Sequence, residues 1–225
     1  FTVITFAQRG TVKTKTQIKD YSTHRLAADC AAILNAIGCG PAIVLGHSMG
    51  GRVAQLVALD HGQHVKALVL ASTGSSFKTK GGIAAKTCLG ILELGYVPYV
   101  RKHSTEIGFS KEFVAQNRDL VKEIMDEMMA TLPPVDIYFA HILSRQDHET
   151  TTRLPFISCP TLVLVGGDET HGTSDTTHVE SSRVLARGIP SSQFKVIEEQ
   201  GHFYTHSTPT EFNTLVKDWI LSLTR

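Results

Sequence analysis

The chain has few cysteines, almost no net charge and no long uninterrupted apolar run. Its 225 residues include 4 Cys with no C-x-x-C pair, which argues against a disulfide scaffold or a zinc ribbon and favours a reducing, cytoplasmic compartment. The 22 Lys and Arg are balanced by 21 Asp and Glu, so no charge excess attracts nucleic acid or an anionic membrane. The longest apolar stretch, residues 88–100, is interrupted by Glu93 and Pro98 and is shorter than the roughly 20 residues of a membrane span.

What the chain does contain is the composition of one soluble globular domain, with 42% hydrophobic and 19% charged residues. Short runs rich in Val, Ile and Leu alternate with helical patterns, which predicts a mostly parallel β-sheet covered by helices. Ser22 is a candidate cap of the first helix, and a second predicted helix spans residues 49–60. Five strands are predicted, at residues 1–6, 42–45, 66–70, 161–165 and 194–197.

The alternation of strands and helices stops in the middle of the chain. Over residues 74–153 amphipathic helical segments follow one another, and the spacing of apolar residues predicts one long helix over residues 111–132. We therefore expect a helical insertion at residues 74–153. The α/β core is then formed by residues 1–73 and 154–225.

The most informative local motif is G-x-S-x-G at residues 46–50, which lies between a predicted strand and a predicted helix. At such a turn Ser48 would be strained and exposed, and the flanking glycines would remove side chains that collide across the corner. The amide of Met49, in the first turn of the helix, is a candidate oxyanion donor. A glycine–serine turn that only bends the backbone is the alternative.

A serine nucleophile needs a histidine base and a carboxylate that orients it. Asp168 follows the predicted strand at residues 161–165, and His202 follows the last predicted strand. The order Ser48, Asp168, His202 is that of an α/β-hydrolase triad. Asp175 is a weaker candidate for the acid, and an Asx turn is the alternative role of Asp168.

Three stretches carry a family resemblance that extends over most of the chain. They read GHSMGGRVAQLVALDHGQHVKALVLAST, CPTLVLVGGDE and QGHFYTHSTPTEFN, and they resemble the α/β-hydrolase superfamily, most closely the 3-oxoadipate enol-lactonase and carboxylesterase branch. The resemblance implies a helical cap at residues 74–153 above a Ser-Asp-His site, with no metal or organic cofactor. His47 resembles the usual GHS elbow and is interpreted as structural. Haloalkane dehalogenases and epoxide hydrolases of this fold carry an aspartate where this chain has Ser48, which argues against those two activities. Cofactor-free haloperoxidases and carbon–carbon bond hydrolases share the serine, so these two activities are alternatives to ester hydrolysis.

The chain also departs from the pattern of this family. Its members carry further strands, and a His-Gly loop that supplies a second oxyanion donor, upstream of the strand that residues 1–6 resemble. Because these are missing and residue 1 is Phe, we expect an N-terminally truncated hydrolase with an empty slot in its sheet. The turn at residues 7–10 and the longer acid loop at residues 168–178 also differ from the family. The histidines and carboxylates of that loop lack any recognised metal-ligand spacing.

Two functions follow from these residues. The first is a serine hydrolase that cleaves a small carboxylic ester or lactone through an acyl-enzyme, with Ser48, Asp168 and His202 as the triad and the Met49 amide in the oxyanion hole. The second is an inactive fragment or a non-catalytic relative that binds a small ligand. The sequence carries no signal for substrate identity or oligomeric state.

Overall fold

The computed structural model describes residues 1–11, 14, 21–38, 40–77, 82–168 and 177–223. Four strands lie in this part of the chain, at β1 Ala42–His47, β2 Val65–Ala71, β3 Thr161–Gly166 and β4 Ser192–Ile197. The helices are α1 Thr23–Ile37, α2 Met49–Asp60, α3 Gly82–Leu94, α4 Tyr96–Gly108, α5 Lys111–Gln116, α6 Arg118–Ala130, α7 Val135–Gln146, α8 His178–Gly188, α9 Tyr204–Ser207 and α10 Pro209–Ser222. Short 3₁₀ turns occur at Gly62–His64 and Thr151–Phe156.

The strands form one parallel sheet in the order β1-β2-β3-β4. Alternate residues of β2 point to opposite faces, because side chains alternate along a strand. Ala67 and Val69 pack with Trp219 of α10 on one face. Leu68 packs with Leu185 of α8 on the other face. Helices on both faces explain why β2 and β3 are nearly continuous apolar runs, and the fold class predicted from the sequence is confirmed.

The fifth predicted strand, residues 1–6, is wrong. Residues 1–8 form neither strand nor helix, and the Phe1 and Val3 side chains are exposed. An apolar run becomes a strand only when its backbone N–H and C=O groups pair with a neighbour, and the described sheet ends at β1. The chain first attaches to the core at Arg9, whose guanidinium binds both carboxylate oxygens of Asp29 in α1 at 2.5 and 2.6 Å.

The first two helices lie where the sequence predicts them. The Ser22 hydroxyl accepts a hydrogen bond from the Arg25 amide at 3.0 Å and caps α1. The helix ends at Gly38, whose φ of 66° lies in the left-handed region that suits glycine. Helix α2 starts directly after Ser48, as predicted.

Five helices, α3 to α7, occupy the part of the chain predicted as the helical insertion. The predicted long helix over residues 111–132 is interrupted at Asn117, which separates α5 from α6. There the backbone leaves the helical region, and the Asn117 side-chain amide donates to the carbonyl of Phe113 at 3.0 Å. This local bond competes with continuation of the helix. Within the described residues, no helix is both long and apolar enough to cross a membrane.

Candidate active site

The predicted site residues follow the carboxyl ends of the parallel strands. Ser48 comes directly after β1, Asp168 two residues after β3, and His202 five residues after β4. Thr73 occupies the corresponding place after β2. Because parallel strands end at one edge of a sheet, these residues are delivered to the same rim, which is where open α/β sheets bind ligands.

Ser48 has the strained backbone that the motif predicts, with φ 53° and ψ −116°. A non-glycine residue in a sparsely populated conformation costs about 1–3 kcal/mol and persists only where its surroundings hold it. Here three hydrogen bonds do so: the Ser48 amide donates to the Ala71 carbonyl at 2.8 Å, and the Ser48 carbonyl accepts from the Gly51 amide at 3.1 Å and the Thr73 hydroxyl at 2.7 Å. The turn therefore presents the Ser48 side chain in a defined position.

The glycines around Ser48 are not equivalent. A Cβ at Gly46 would lie 2.3 Å from the backbone oxygen of Gly50, so the close approach of β1 to α2 requires glycine there. A Cβ at Gly50 would meet nothing within 4 Å. The second steric requirement instead falls on Gly51, where a Cβ would lie 2.5 Å from the side chain of Thr73. The motif therefore correctly predicts that glycine is required at position 46. It places the second requirement at position 50, whereas the structure has it at position 51.

His202 is buried at the same rim, and its ring centroid lies 4.7 Å from that of His47. Its amide donates to the carbonyl of Ile107 at 3.1 Å, which ties the loop after β4 to the end of α4. Its own carbonyl accepts from Nε2 of His47 at 2.8 Å. Since a carbonyl only accepts, this bond places the proton of His47 on Nε2. The His202 ring stacks on that of His178 with centroids 4.8 Å apart.

Ser48, Met49 and His202 line one cavity of about 240 Å³ between the sheet and the helical block. This volume lies just below the range of about 300–1,000 Å³ that is usual for ligand pockets, so only a small molecule would fit. The Met49 amide opens α2, so it has no partner within the helix, and it donates to no side chain in the described part of the protein. The cavity therefore contains a hydroxyl, an imidazole and an unengaged backbone donor.

Asp168, unlike Ser48 and His202, does not line the cavity, although its backbone is bound next to the loop of His202. Its amide donates to the carbonyl of Gln200 at 3.0 Å, so the backbone of the predicted acid is bound to the loop that carries His202. Its side chain, however, is exposed, and Asp168 is not among the described residues that line the cavity. The other predicted acid, Asp175, lies outside the described residues. The structure thus brings Ser48, Met49 and His202 together and leaves the role of Asp168 as a prediction.

Known proteins share this architecture. A family described as the alpha/beta hydrolase fold matches residues 1–92. The structure resembles a thermophilic esterase from Thermogutta terrifontis, with TM-score 0.81 and 23% identity over 96% of this chain and 78% of that one. It also resembles the enol-lactonase from Burkholderia xenovorans, with TM-score 0.81 and 17% identity over 95% and 78% of the two chains. The protein therefore has the α/β-hydrolase fold. A sequence relative from Caulobacter vibrioides, provisionally named carbamate hydrolase RutD, is 24% identical over 94% of this chain and 77% of its own length.

Sequence reasoning missed two arginines that line this cavity. Arg52 lies on α2 one turn after Ser48, and its guanidinium donates to the carbonyls of Gly74 and Ser76 at 3.1 and 3.0 Å. Burial, with a smaller contribution from Arg145, lowers the pKa of Arg52 to about 10, and nearby Glu149 opposes this shift. The helical spacing from Ser48 could have indicated Arg52. No pattern in the sequence indicates Arg145, which reaches the cavity from α7.

Desolvation and positive charge also act on the histidines of the cavity. Burial lowers the pKa of His202 to about 4, with a further contribution from Arg145. Burial lowers the pKa values of His103 and His141 as well, and Arg145 again contributes in the same direction. These imidazoles are therefore neutral at neutral pH, which is the form that a general base requires. Among the described residues, no group of three or more His, Cys, Asp or Glu is arranged to hold a metal ion.

Proposed function

We propose that this protein is a serine hydrolase of the α/β-hydrolase superfamily that cleaves a small carboxylic ester or lactone through an acyl-enzyme. The observation that carries the proposal is the strained backbone of Ser48, held by three hydrogen bonds in a cavity that it shares with buried, neutral His202. The names of the similar proteins, an esterase, an enol-lactonase and a carbamate hydrolase, agree with chemistry at an acyl carbon.

In the proposed reaction, His202 takes the proton of the Ser48 hydroxyl as the oxygen attacks the acyl carbon. The Met49 amide, at the positive end of α2, stabilises the oxyanion of the tetrahedral intermediate. His202 then returns the proton to the leaving alcohol, and a water molecule attacks the acyl-enzyme with His202 again as the base. Asp168 is proposed to orient the imidazole.

The helical block at residues 74–153 is proposed to act as the cap. Two contacts support this role: the carbonyls of Ile107 and Gly108, at the end of α4, accept from the amides of His202 and Phe203 at 3.1 and 2.7 Å. The block also supplies Arg145 to the cavity. Its packing would then fix the loop of the base and exclude water from the reacting groups.

Labelling with a fluorophosphonate tests the proposal. The probe forms a covalent bond only with a serine whose hydroxyl is activated, so mass spectrometry of the digested protein should locate the adduct on Ser48. The Ser48→Ala variant should take up no probe. Folded protein that stays unlabelled would favour the second candidate, a non-catalytic ligand-binding relative.

Replacing Asp168 by Asn should lower kcat by about 10³- to 10⁴-fold if Asp168 orients His202, because the imidazole loses its correct tautomer. Glu198→Gln is a matched control, since Glu198 is an exposed carboxylate on the neighbouring loop and loses the same charge. We expect it to change kcat by less than about twofold. Steady-state hydrolysis of para-nitrophenyl esters provides the measurement. Equal rates for Asp168→Asn and Glu198→Gln would show that Asp168 does not orient His202. Asp175→Asn would then be the next variant to measure.

The pH dependence should report the depressed pKa of His202. A base acts only when it is deprotonated, so kcat/KM should be level near neutral pH and fall as the pH drops through about 4. An ordinary histidine would produce the same fall near pH 6.5. The profile is measured with a neutral ester, within the pH range where circular dichroism shows folded protein. An acid limb near pH 6.5 would contradict the buried position of His202.

A further inference from the structure

Two other imidazole rings lie against the ring of His202. The His47 ring has its centroid 4.7 Å away, with the two planes 48° apart, and the His178 ring has its centroid 4.8 Å away, with the planes only 28° apart. A nearly parallel ring covers the flat face of the imidazole and opposes its rotation, because aromatic rings attract each other only in a limited set of geometries. His178 is therefore placed to hold the orientation of the predicted base.

The backbone of His178 is fixed at the start of a helix. His178 is the first residue of α8, and the Thr177 hydroxyl caps this helix by accepting a hydrogen bond from the Glu180 amide at 3.2 Å. Leu185, further along α8, is buried in the core against the sheet. A rigid element therefore carries the His178 ring, and such elements hold a side chain more precisely than loops do.

The same end of α8 is tied to the predicted nucleophile. The buried Ser182 hydroxyl donates to the carbonyl of Thr73 at 3.3 Å, and the Thr73 hydroxyl donates to the carbonyl of Ser48 at 2.7 Å. One series of contacts thus runs from α8 to Ser48, and the stacked ring of His178 connects α8 to His202. The start of α8 therefore helps to fix the position of the base relative to the nucleophile.

From this arrangement we infer that His178 is a positioning residue of the hydrolase: its ring holds the His202 imidazole in the orientation in which it accepts the proton of Ser48. The inference rests on the proposed function and adds a residue that the predicted triad does not contain. The flat ring of His178 acts here, and no proton is transferred to it. Because His178 also lines the cavity, direct contact with the substrate is the competing role.

Steady-state hydrolysis of a neutral para-nitrophenyl ester separates the two roles. His178→Ala should lower kcat by about 10- to 100-fold, because a misplaced base loses rate in the chemical step. Its KM should change by less than about threefold, since substrate binding does not depend on the orientation of His202. His178→Phe should keep kcat within about threefold of the wild-type value, because a ring that can stack is retained.

Two kinetic results would contradict the inference. A raised KM with unchanged kcat in His178→Ala would show that His178 contacts the substrate. A kcat in His178→Phe as low as that in His178→Ala would assign the effect to the ring nitrogens and not to the stacked plane.

His206→Ala is the matched control. His206 is an exposed histidine in the segment that follows His202, its ring contacts Phe203, and it is not among the described residues that line the cavity. We expect this variant to change kcat by less than about twofold. Equal losses in His178→Ala and His206→Ala would overturn the inference, because only His178 stacks on the base.

The pH profile provides a readout that a purely structural role would not change. Removing the His178 ring should admit water to His202, which stabilises the protonated imidazole and raises its pKa. The acid limb of kcat/KM should therefore move from about pH 4 toward pH 6.5 in His178→Ala and stay in place in His178→Phe. An unchanged limb in His178→Ala would contradict the inference. The other titratable or charged groups of the cavity are the same in every variant: His47, Arg52, His103, Tyr138, His141 and Arg145.

Nuclear magnetic resonance tests His178 without relying on hydrolysis. The Cε1–H signal of His202, identified by its loss in His202→Gln, reports whether the ring is protonated. At pH 5 the ring should be neutral in the wild type and in His178→Phe, and largely protonated in His178→Ala. Circular dichroism at the same pH confirms that each variant is folded.

These measurements distinguish the inference from the proposed function. Ser48-dependent hydrolysis with the same kcat and the same His202 titration in wild type and His178→Ala would overturn the inference and leave the hydrolase intact. If no ester is hydrolysed, the proposed function fails and the titration alone decides about His178. A protonated His202 in His178→Ala would then support the positioning of this ring by His178, and a neutral one would overturn it.

Discussion

Replacing Ser48 by alanine should lower the rate of ester hydrolysis by about 10⁴- to 10⁶-fold, the loss typical of a missing serine nucleophile. The acyl-enzyme cannot form without the hydroxyl, whereas the cavity and the Met49 amide persist. Residual catalysis would then come from binding and the oxyanion donor alone. The measurement is kcat for para-nitrophenyl esters, together with the loss of the initial burst of nitrophenol that reports acylation.

Ser104→Ala is the matched control for this loss. Ser104 is a buried serine on α4 that also lines the cavity, but it has regular helical backbone. Alanine is the best helix former, so the variant should fold and keep its rate within about tenfold. Similar losses in both variants would show that the effect comes from the cavity lining and would remove Ser48 from its catalytic role.

Replacing Gly46 by alanine should destabilise the protein by about 2–4 kcal/mol, a large effect for one methyl group. The added Cβ would lie 2.3 Å from the oxygen and 2.5 Å from the carbon of the Gly50 carbonyl group. These are backbone atoms of α2, so the clash is relieved only if the helix moves away from β1. That movement would also disturb Ser48, so activity should fall with stability. Urea unfolding measures the change in the free energy of unfolding.

Gly50→Ala separates the steric argument from a general effect of changing the motif. A Cβ at Gly50 meets nothing within 4 Å, and alanine in a helix is more favourable than glycine by about 0.5–1 kcal/mol. The variant should therefore unfold at the same urea concentration or a higher one. A loss of stability as large as that of Gly46→Ala would contradict the packing described for this turn.

The local part of the structure was predictable from the sequence because it depends on near neighbours in the chain. The period of apolar residues located β1 to β4, and Ser22 marked the start of α1. The motif around Ser48 was predictable for the same reason, since a strand followed at once by a helix leaves few backbone paths between them.

Two errors show where such reasoning stops. Residues 1–6 have the composition of a strand, but pairing with a neighbouring strand decides whether a strand forms, and no local pattern reports it. The interruption at Asn117 has the same origin: the apolar spacing on either side continues, while one side-chain bond to the Phe113 carbonyl diverts the backbone. Propensity is a weak constraint in both places.

The sequence by itself determined the parallel α/β fold, the elbow at Ser48 and the order of the candidate catalytic residues. Only the tertiary structure decided that Ser48 and His202 line one cavity and that the side chain of Asp168 lies outside its described lining. It also decided that Arg145 lines that cavity, with its Nε buried and without a hydrogen-bond partner among the described residues. The physical reason is that backbone periodicity acts over a few residues, whereas burial, charge pairing and pKa depend on groups that folding brings together from distant parts of the chain.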